Sequence, residues 1–240
     1  MGCPFLDINF KLLTVFYTVM PSLLLRNTTA VPAISNKKNN KCFILTHEKK
    51  NHQQSSAYFF GTIFGTMALI WSEYKKKPAV SQIFIPKPEI STRKTVSQSF
   101  PGRISASCPE IDMLINQIKA YLSGEDVRFS LDILRMDRCT SFQEKVLRTE
   151  FAIPRGRVSS YGLIAKHMNK PGAARAVGTA LATNLFPIVI PCHRAIRSDG
   201  HLGGYQGGLP MKRQLLQVEG VKFYDKNHLS TKTFYYLNEH

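Results

Sequence analysis

The 240-residue chain is poor in acidic residues: 16 Asp and Glu stand against 32 Lys and Arg, a formal charge of +16 before any histidine is counted. Cysteine is scarce as well, and Cys3, Cys42, Cys108, Cys139 and Cys192 form neither a CxxC nor a dense cluster. An odd, scattered set of thiols argues against a disulfide scaffold or a zinc ribbon and fits a reduced intracellular chain. No GxGxxG, P-loop or HExxH pattern occurs, which leaves nucleotide-cofactor and zinc-protease chemistry without support. There is no internal repeat, and 15 Gly with 13 Pro exclude a collagen-like chain. The apolar stretch LLTVFYTVMPSLLL at 12–25 is too short to span a bilayer and carries Pro21. It has the character of a signal-peptide core, but only Lys11 precedes it, offset by Asp7. It therefore reads as an extension or a misplaced start, with export as the alternative.

What is present is enough apolar material, 43% of residues, for one sizeable core or two small ones. The positive charge is spread out: residues 1–139 and 140–240 each come to +8. That balance suggests a polyanionic partner, nucleic acid or an acidic membrane surface, rather than a neutral protein with a basic tail. Residues 1–56 form an extension whose 26–56 portion, rich in Asn, Lys, Ser and Thr, reads as a linker with a candidate strand at Cys42–Thr46. Order is expected from Ala57. AYFFGTIF, TMALIWSE and VSQIFIP are β-rich runs divided by Gly65 and the turn-prone Lys75–Pro78, as in a small antiparallel sheet. Lys75–Lys77 reads as a solvated turn. Ser107–Glu110 is a capping-box pattern, and Ile111, Leu114, Ile115, Ile118 and Leu122 follow at helical spacing up to Gly124. Residues 57–124 thus make a sheet-and-helix domain, followed by a connector at 125–139.

A second domain spans 140–225, with a tail at 226–240. Ser141–Glu144 is another capping-box pattern opening a helix with Phe142, Val146 and Leu147 inward. Ser159 or Ser160 caps a short helix to Met168, Asn169–Gly172 turns, and a helix rich in small residues runs from Ala173 to about Thr183. Two short helices across a Pro-Gly turn are the helix-turn-helix layout, and the whole is α+β.

Ile188–Pro191 reads as a short, buried, β-like run that ends in Cys192, His193 and Arg194. A thiol beside an imidazole and a guanidinium is an environment that favours thiolate; the other four cysteines read as small buried hydrophobes. Adjacent residues on an extended segment point to opposite faces, so His193 is expected to reach Cys192 through a water. A third group must orient that imidazole, and Glu219 is the candidate, at the end of a helix over Leu209–Glu219 that Gly220 stops. A carboxylate there opposes the helix dipole by about 0.3–1 kcal/mol. An exposed Glu is the ordinary alternative. Gly203–Gly208 with Tyr205 is either a flexible loop or a backbone cradle for a flat ligand.

IPCHR at 190–194 and GGYQGGL at 203–209, after RAVGTALATN at 175–184, resemble the O6-alkylguanine-DNA alkyltransferases, also called methylated-DNA–protein-cysteine methyltransferases. The likeness runs from about Phe142 to Gly220 and more loosely back to Tyr58. The resemblance implies a ribonuclease H-like first domain before a helix-turn-helix, winged-helix-like alkyltransferase domain. It implies irreversible transfer from O6-alkylguanine in double-stranded DNA to Cys192 after base flipping, once per molecule and without cofactor, with O4-methylthymine an open second substrate. His193 through water and Glu219 match the relay; Asn184 matches the residue bracing the turn behind the recognition helix; Tyr161 matches the hydroxyl that neutralises departing guanine. Arg175 matches the side chain filling the space of the flipped nucleotide, with Ala174, Gly178, Ser160 and Tyr161 on the DNA side. Helix-turn-helix spacing alone predicts the major groove, whereas the resemblance implies the minor groove. Pocket contacts fall on Tyr205, Gln206, Pro187, Ala195 and Ser198. Departures are Gln206 where Ser is common, Leu147 for a frequent Trp, and Leu185-Phe186 where Pro often begins the stretch. There is no counterpart of the zinc ligands of some members, so no metal is expected. The implied protein is a monomer located with the DNA and held to no membrane, with cooperativity on DNA left open.

Overall fold

The computed structural model describes residues 55–102, 105–229 and 234–237. The extension and the candidate strand at Cys42–Thr46 lie outside them. Three strands, β1 (Ser56–Thr62), β2 (Gly65–Tyr74) and β3 (Lys77–Phe84), form an antiparallel meander in that order. Phe59 faces Ala68 and Leu69 faces Ile83 across it. Lys75 and Lys76, both at positive φ (49° and 63°), make the two-residue turn between β2 and β3, the mirror-image turn that suits strand twist.

Both faces of this sheet are covered. On one, Phe60, Leu69, Val80 and Ile83 join Ile111, Leu114, Ile115 and Ile118 of α2 (Pro109–Leu122). On the other, Ala57, Ala68, Ile70 and Phe84 pack on Val96 of α1 (Thr92–Ser99). Sequence periodicity does not show α1, because Thr92 and Val96 are its only buried residues. It is held instead by Ser91, whose side chain accepts from Lys94 N, and by Thr92 Oγ1 donating to Thr66 O at 2.6 Å. The capping box expected at Ser107–Glu110 does not form. Pro109 at the first helical turn makes Cys108 the N-cap, and the Ser107 hydroxyl donates to Asp112 instead. The connector is ordered against the edge of β3, with Val80 N donating to Ile133 O and Arg135 N to Val80 O.

The helical part begins with α3 (Ser141–Phe151). Its N-cap is Thr140, accepting from Gln143 N, one residue before the expected Ser141; Glu144 pairs with Arg148 instead. Ser160 caps α4 (Tyr161–His167) through Leu163 N, and Asn169 (φ 57°) and Gly172 (φ 87°) carry the turn into α5 (Ala174–Ala182). Two short strands, β4 (Ser159–Ser160) and β5 (Ala195–Ile196), pair in parallel and tie the start of α4 to the chain just past Cys192. Helix α6 (Gly208–Val218) has Glu219 as its C-cap and Gly220 at φ 85°. One buried cluster runs from Phe60 on the sheet through Val146 and Val177 to Leu215 on α6.

Candidate active site

Ile188–Pro191 is not a strand. Ile190 N donates to Phe186 O at 2.8 Å, closing a turn in which Ile188, 1% exposed, sits at φ 76°. A β-branched residue in the left-handed region costs about 1–3 kcal/mol and persists only where its surroundings impose it. Asn184 imposes it: Nδ2 donates to Ile190 O at 3.0 Å, and Oδ1 accepts from Phe186 N at 2.9 Å. The Gln206 side chain in turn donates to Asn184 O at 2.9 Å, a contact a Ser could not reach. Leu185 accepts from Ile83 N, which fastens the rim of the turn to β3. Leu147, standing for the frequent Trp, is fully buried in the core.

Behind this turn Cys192, His193 and Arg194 form a single 3-10 turn, and all three are buried. Successive residues therefore diverge by about 120°, not by the 180° of an extended segment. His193 Nε2 lies 2.9 Å from Glu219 Oε1 and 3.0 Å from Tyr121 Oη, and the Tyr121 hydroxyl donates to the same carboxylate oxygen. A carboxylate only accepts, so Nε2 carries the imidazole hydrogen and Nδ1 holds the lone pair. That Nδ1 is buried and has no hydrogen-bond partner. Burial, with the charges of Arg194 and Lys212, keeps His193 below its ordinary value against the pull of Glu219. The ring is neutral, a base with its accepting atom free.

Glu219 is held by more than histidine. Arg194 donates through Nε (3.0 and 3.1 Å) and Nη2 (2.8 Å), and Gly156 N reaches Oε2 at 3.2 Å. Burial alone would raise its carboxyl, but His193 and Arg194 outweigh burial and hold it well below the usual carboxylate range. The dipole cost expected at this helix end is thus offset by a guanidinium and a backbone N–H.

The thiol itself departs from the expectation of a thiolate-favouring environment. Burial, foremost, pushes Cys192 up to about 11, with Asn184 and Lys212 pulling down and Glu150 pushing up. The charge of Arg194 is committed to Glu219, so the resting group is S–H and needs a base.

Tyr161 is wedged between α5 and the glycine loop. A β-carbon on Gly178 would lie 3.9 Å from its ring, and one on Gly203 (φ 67°) would come within 2.9 Å of its hydroxyl oxygen. Burial raises that hydroxyl to about 12, so it is a proton donor at neutral pH. The loop is clamped by Lys212, whose fully buried Nζ donates to Ala195 O (2.7 Å), Leu202 O (2.5 Å) and Gly204 O (3.2 Å). Tyr205 faces His193 edge-on at 6.3 Å, Pro187 and Ala195 are buried beside the turn, and Ser198 is exposed in the turn after β5. On α5, Arg175, Ala176 and Thr179 are exposed, Ala174 and Gly178 half-buried. Ser160 is 3% exposed, and its hydroxyl is taken up in capping α4.

Sequence reasoning missed Tyr121, Lys212 and Glu150, and took Arg194 only as part of a positive field. Tyr121 occupies the apolar stripe of α2, where an aromatic is indistinguishable from core. Lys212, between Met211 and Leu215 on the buried face of α6, carried a signal: a cation at a core position. A cleft of about 490 Å³ lined by Tyr121, Arg155 and Arg194 opens on the far side of the relay and does not include Cys192. Among the described residues no group of three or more His, Cys, Asp or Glu side chains could hold a metal ion.

Fold and site together define a helix-turn-helix protein in which a buried thiol, Cys192, sits beside a hydrogen-bonded His–Glu pair. The model of the 6-O-methylguanine DNA methyltransferase DNA-binding domain matches residues 141–221. A methylated-DNA–protein-cysteine methyltransferase of Methanothermobacter thermautotrophicus is 45% identical over 111 residues, 46% of this chain and 62% of the relative. One of Shigella flexneri is 35% identical over 157 residues, 65% of this chain and 84% of that protein. The structure of Mycobacterium tuberculosis OGT in complex with DNA superposes with a TM-score of 0.55 at 31% identity, covering 68% of this chain and 92% of that one. The chain belongs to the methylated-DNA–protein-cysteine methyltransferase family. Its match spans 62% of the length of the archaeal relative, short of the whole protein.

Proposed function

We propose that this protein removes an alkyl group from O6-alkylguanine in double-stranded DNA by transferring it to Cys192 Sγ, once per molecule. The observation that carries the reading is the buried thiol in one turn with a neutral His193 whose Nδ1 is free while Nε2 is held by Glu219. His193 Nδ1 takes the thiol proton through a water, and Glu219 with Arg194 stabilises the imidazolium that forms. The thiolate attacks the alkyl carbon; the S–C bond forms as the C–O6 bond breaks, and the electron pair passes to the guanine ring. Tyr161 donates to that ring, and the proton lost by the thiol balances the one guanine gains. No cofactor takes part, since the thioether is the end product.

The target base must leave the duplex, because Cys192 is enclosed and cannot reach a stacked base. Exposed Arg175 on a helix of small residues suits entry into the minor groove behind the flipped nucleotide, with the protein acting as a monomer. Tyr205, Gln206, Pro187 and Ala195 would wall the pocket and Ser198 would approach the O6 side. The test is transfer of labelled methyl from an O6-methylguanine duplex. Label should saturate at one per chain, and Cys192→Ser should take none while still binding the duplex. Repeated turnover would instead mark a cysteine hydrolase, and binding without transfer a damage-binding protein.

A further inference from the structure

Glu150 has no part in the relay. It lies on α3 next to the end of the helix, fully buried, and neither carboxyl oxygen has a hydrogen-bond partner. An ionised carboxylate so placed would be costly, and burial raises this one to about 8. The Lys212 ammonium is equally buried, and its three carbonyl partners use three N–H donors, which only the charged form has. Burial lowers Lys212 to about 8, and the two acids whose negative charge holds its ammonium against that pull are Cys192 and Glu150. We propose that Glu150 and Cys192 compete for the single positive charge of Lys212, so that the ionisation state of Glu150 sets the reactivity of the acceptor thiol.

Among the described residues, the surroundings of Glu150 offer no other uncommitted cation. From α6 it faces Lys212 and the carboxylate of Glu219; from the 3-10 turn, Arg194 and Cys192; from α4, the Tyr161 hydroxyl; from β5, the Ala195 N–H. Arg194 is committed to Glu219 through three donor contacts. While Glu150 is a neutral acid, the field of Lys212 is available to the thiolate. Once Glu150 gives its proton to solvent, it neutralises that field and its own charge opposes ionisation of Cys192 and Tyr161 alike. Glu150 is therefore a positioning residue for charge, acting through Lys212 and touching no substrate.

The inference rests on Cys192 as the acceptor, but its test needs no DNA. Iodoacetamide modification of Cys192, followed by peptide mass across pH in the full chain, reads the thiol directly. Glu150→Gln and Glu150→Leu should ionise Cys192 at lower pH than wild type and react about twofold faster near pH 8, where Lys212 is still partly charged and Glu150 of the wild type is partly ionised, with similar rates near pH 6. Coincident curves, or slower variants, would overturn the proposal. A second readout needs no variant: with ¹³C-labelled glutamate, the wild-type protein at pH 7 should show the infrared carbonyl band of a neutral carboxylic acid, fading as pH rises through the alkaline range. Absence of that band would also overturn it. If thiol curves shift but DNA transfer fails, the functional reading falls and this one stands.

Discussion

At the scale of single residues, the proposed reaction is built by withholding charge from the thiol and supplying a base. Cys192 rests protonated, His193 is neutral with Nδ1 free, and Glu219 is the fixed negative charge that makes an imidazolium tolerable. Glu219→Gln removes that charge and leaves Arg194 buried without its counter-ion. Transfer should slow by about 10²-fold or more in single-turnover assays, as for loss of a general-base system. The variant should also lose about 3–5 kcal/mol near neutral pH, the cost of breaking a buried ion pair. The sign of its pH dependence follows from a carboxyl held below its unfolded value of 4.5: the stabilisation is present above that value and lost as pH falls toward the folded one. Urea midpoints of wild type and variant should converge as pH drops below about 4.5. Glu150 behaves oppositely. Its folded value of about 8 lies above 4.5, so its penalty accumulates as pH rises between the two, and Glu150→Gln should gain stability over wild type across that window.

At the scale of elements, the site depends on a turn that looks like a strand. Ile188, Val189 and Ile190 have β-forming side chains, and nothing local discloses that Asn184 will pin Ile190 O and Phe186 N into a turn. Asn184→Ala strips both buried partners and should cost about 2–4 kcal/mol in urea unfolding, with transfer impaired beyond the loss of stability. Gly203→Ala should cost about 1–3 kcal/mol, since φ 67° disfavours a side chain and the new carbon meets the Tyr161 hydroxyl. The same logic explains what was legible. The strands, α2, the α4–α5 pair and α6 have apolar spacing and turn residues in agreement, so their positions follow from sequence to within a residue or two, except that β3 begins at Lys77, three residues before the expected run at Val80, because Lys75 and Lys76 alone make the turn. Caps shifted by one residue where Pro109 and Thr140 offered a better start. Helix α1 was hidden because it buries little of its own, and Tyr121 because a relay hydroxyl on an apolar stripe looks like core. Cys192 and His193 stood out through their motif and Glu219 as the carboxylate at the end of α6, whereas Lys212 and Glu150 acquire meaning only from the elements packed against them.

At the scale of the whole molecule, the proposed function assigns the charge of +16 and the exposed Arg175 to DNA rather than to chemistry. Affinity for duplex should fall steeply with salt, by roughly 0.9 in log K per log salt for each phosphate neutralised. Arg175→Ala should weaken action on lesion-containing duplex while leaving reaction with free O6-alkylguanine base near wild type; equal losses on both substrates would remove Arg175 from the groove. The connector and the Leu185 rim are hydrogen-bonded to β3, so the sheet serves as the rigid back on which the acceptor turn is mounted. On the proposed reading, the alkyl group of a DNA lesion ends on Cys192, the buried thiol among the described residues. The direct measurement is intact and peptide mass after mixing the protein with duplex containing O6-methylguanine. A single added methyl is expected on the peptide carrying Cys192, saturating at one per chain. A folded protein that binds the duplex yet gains no methyl, or gains it on another residue, would contradict it.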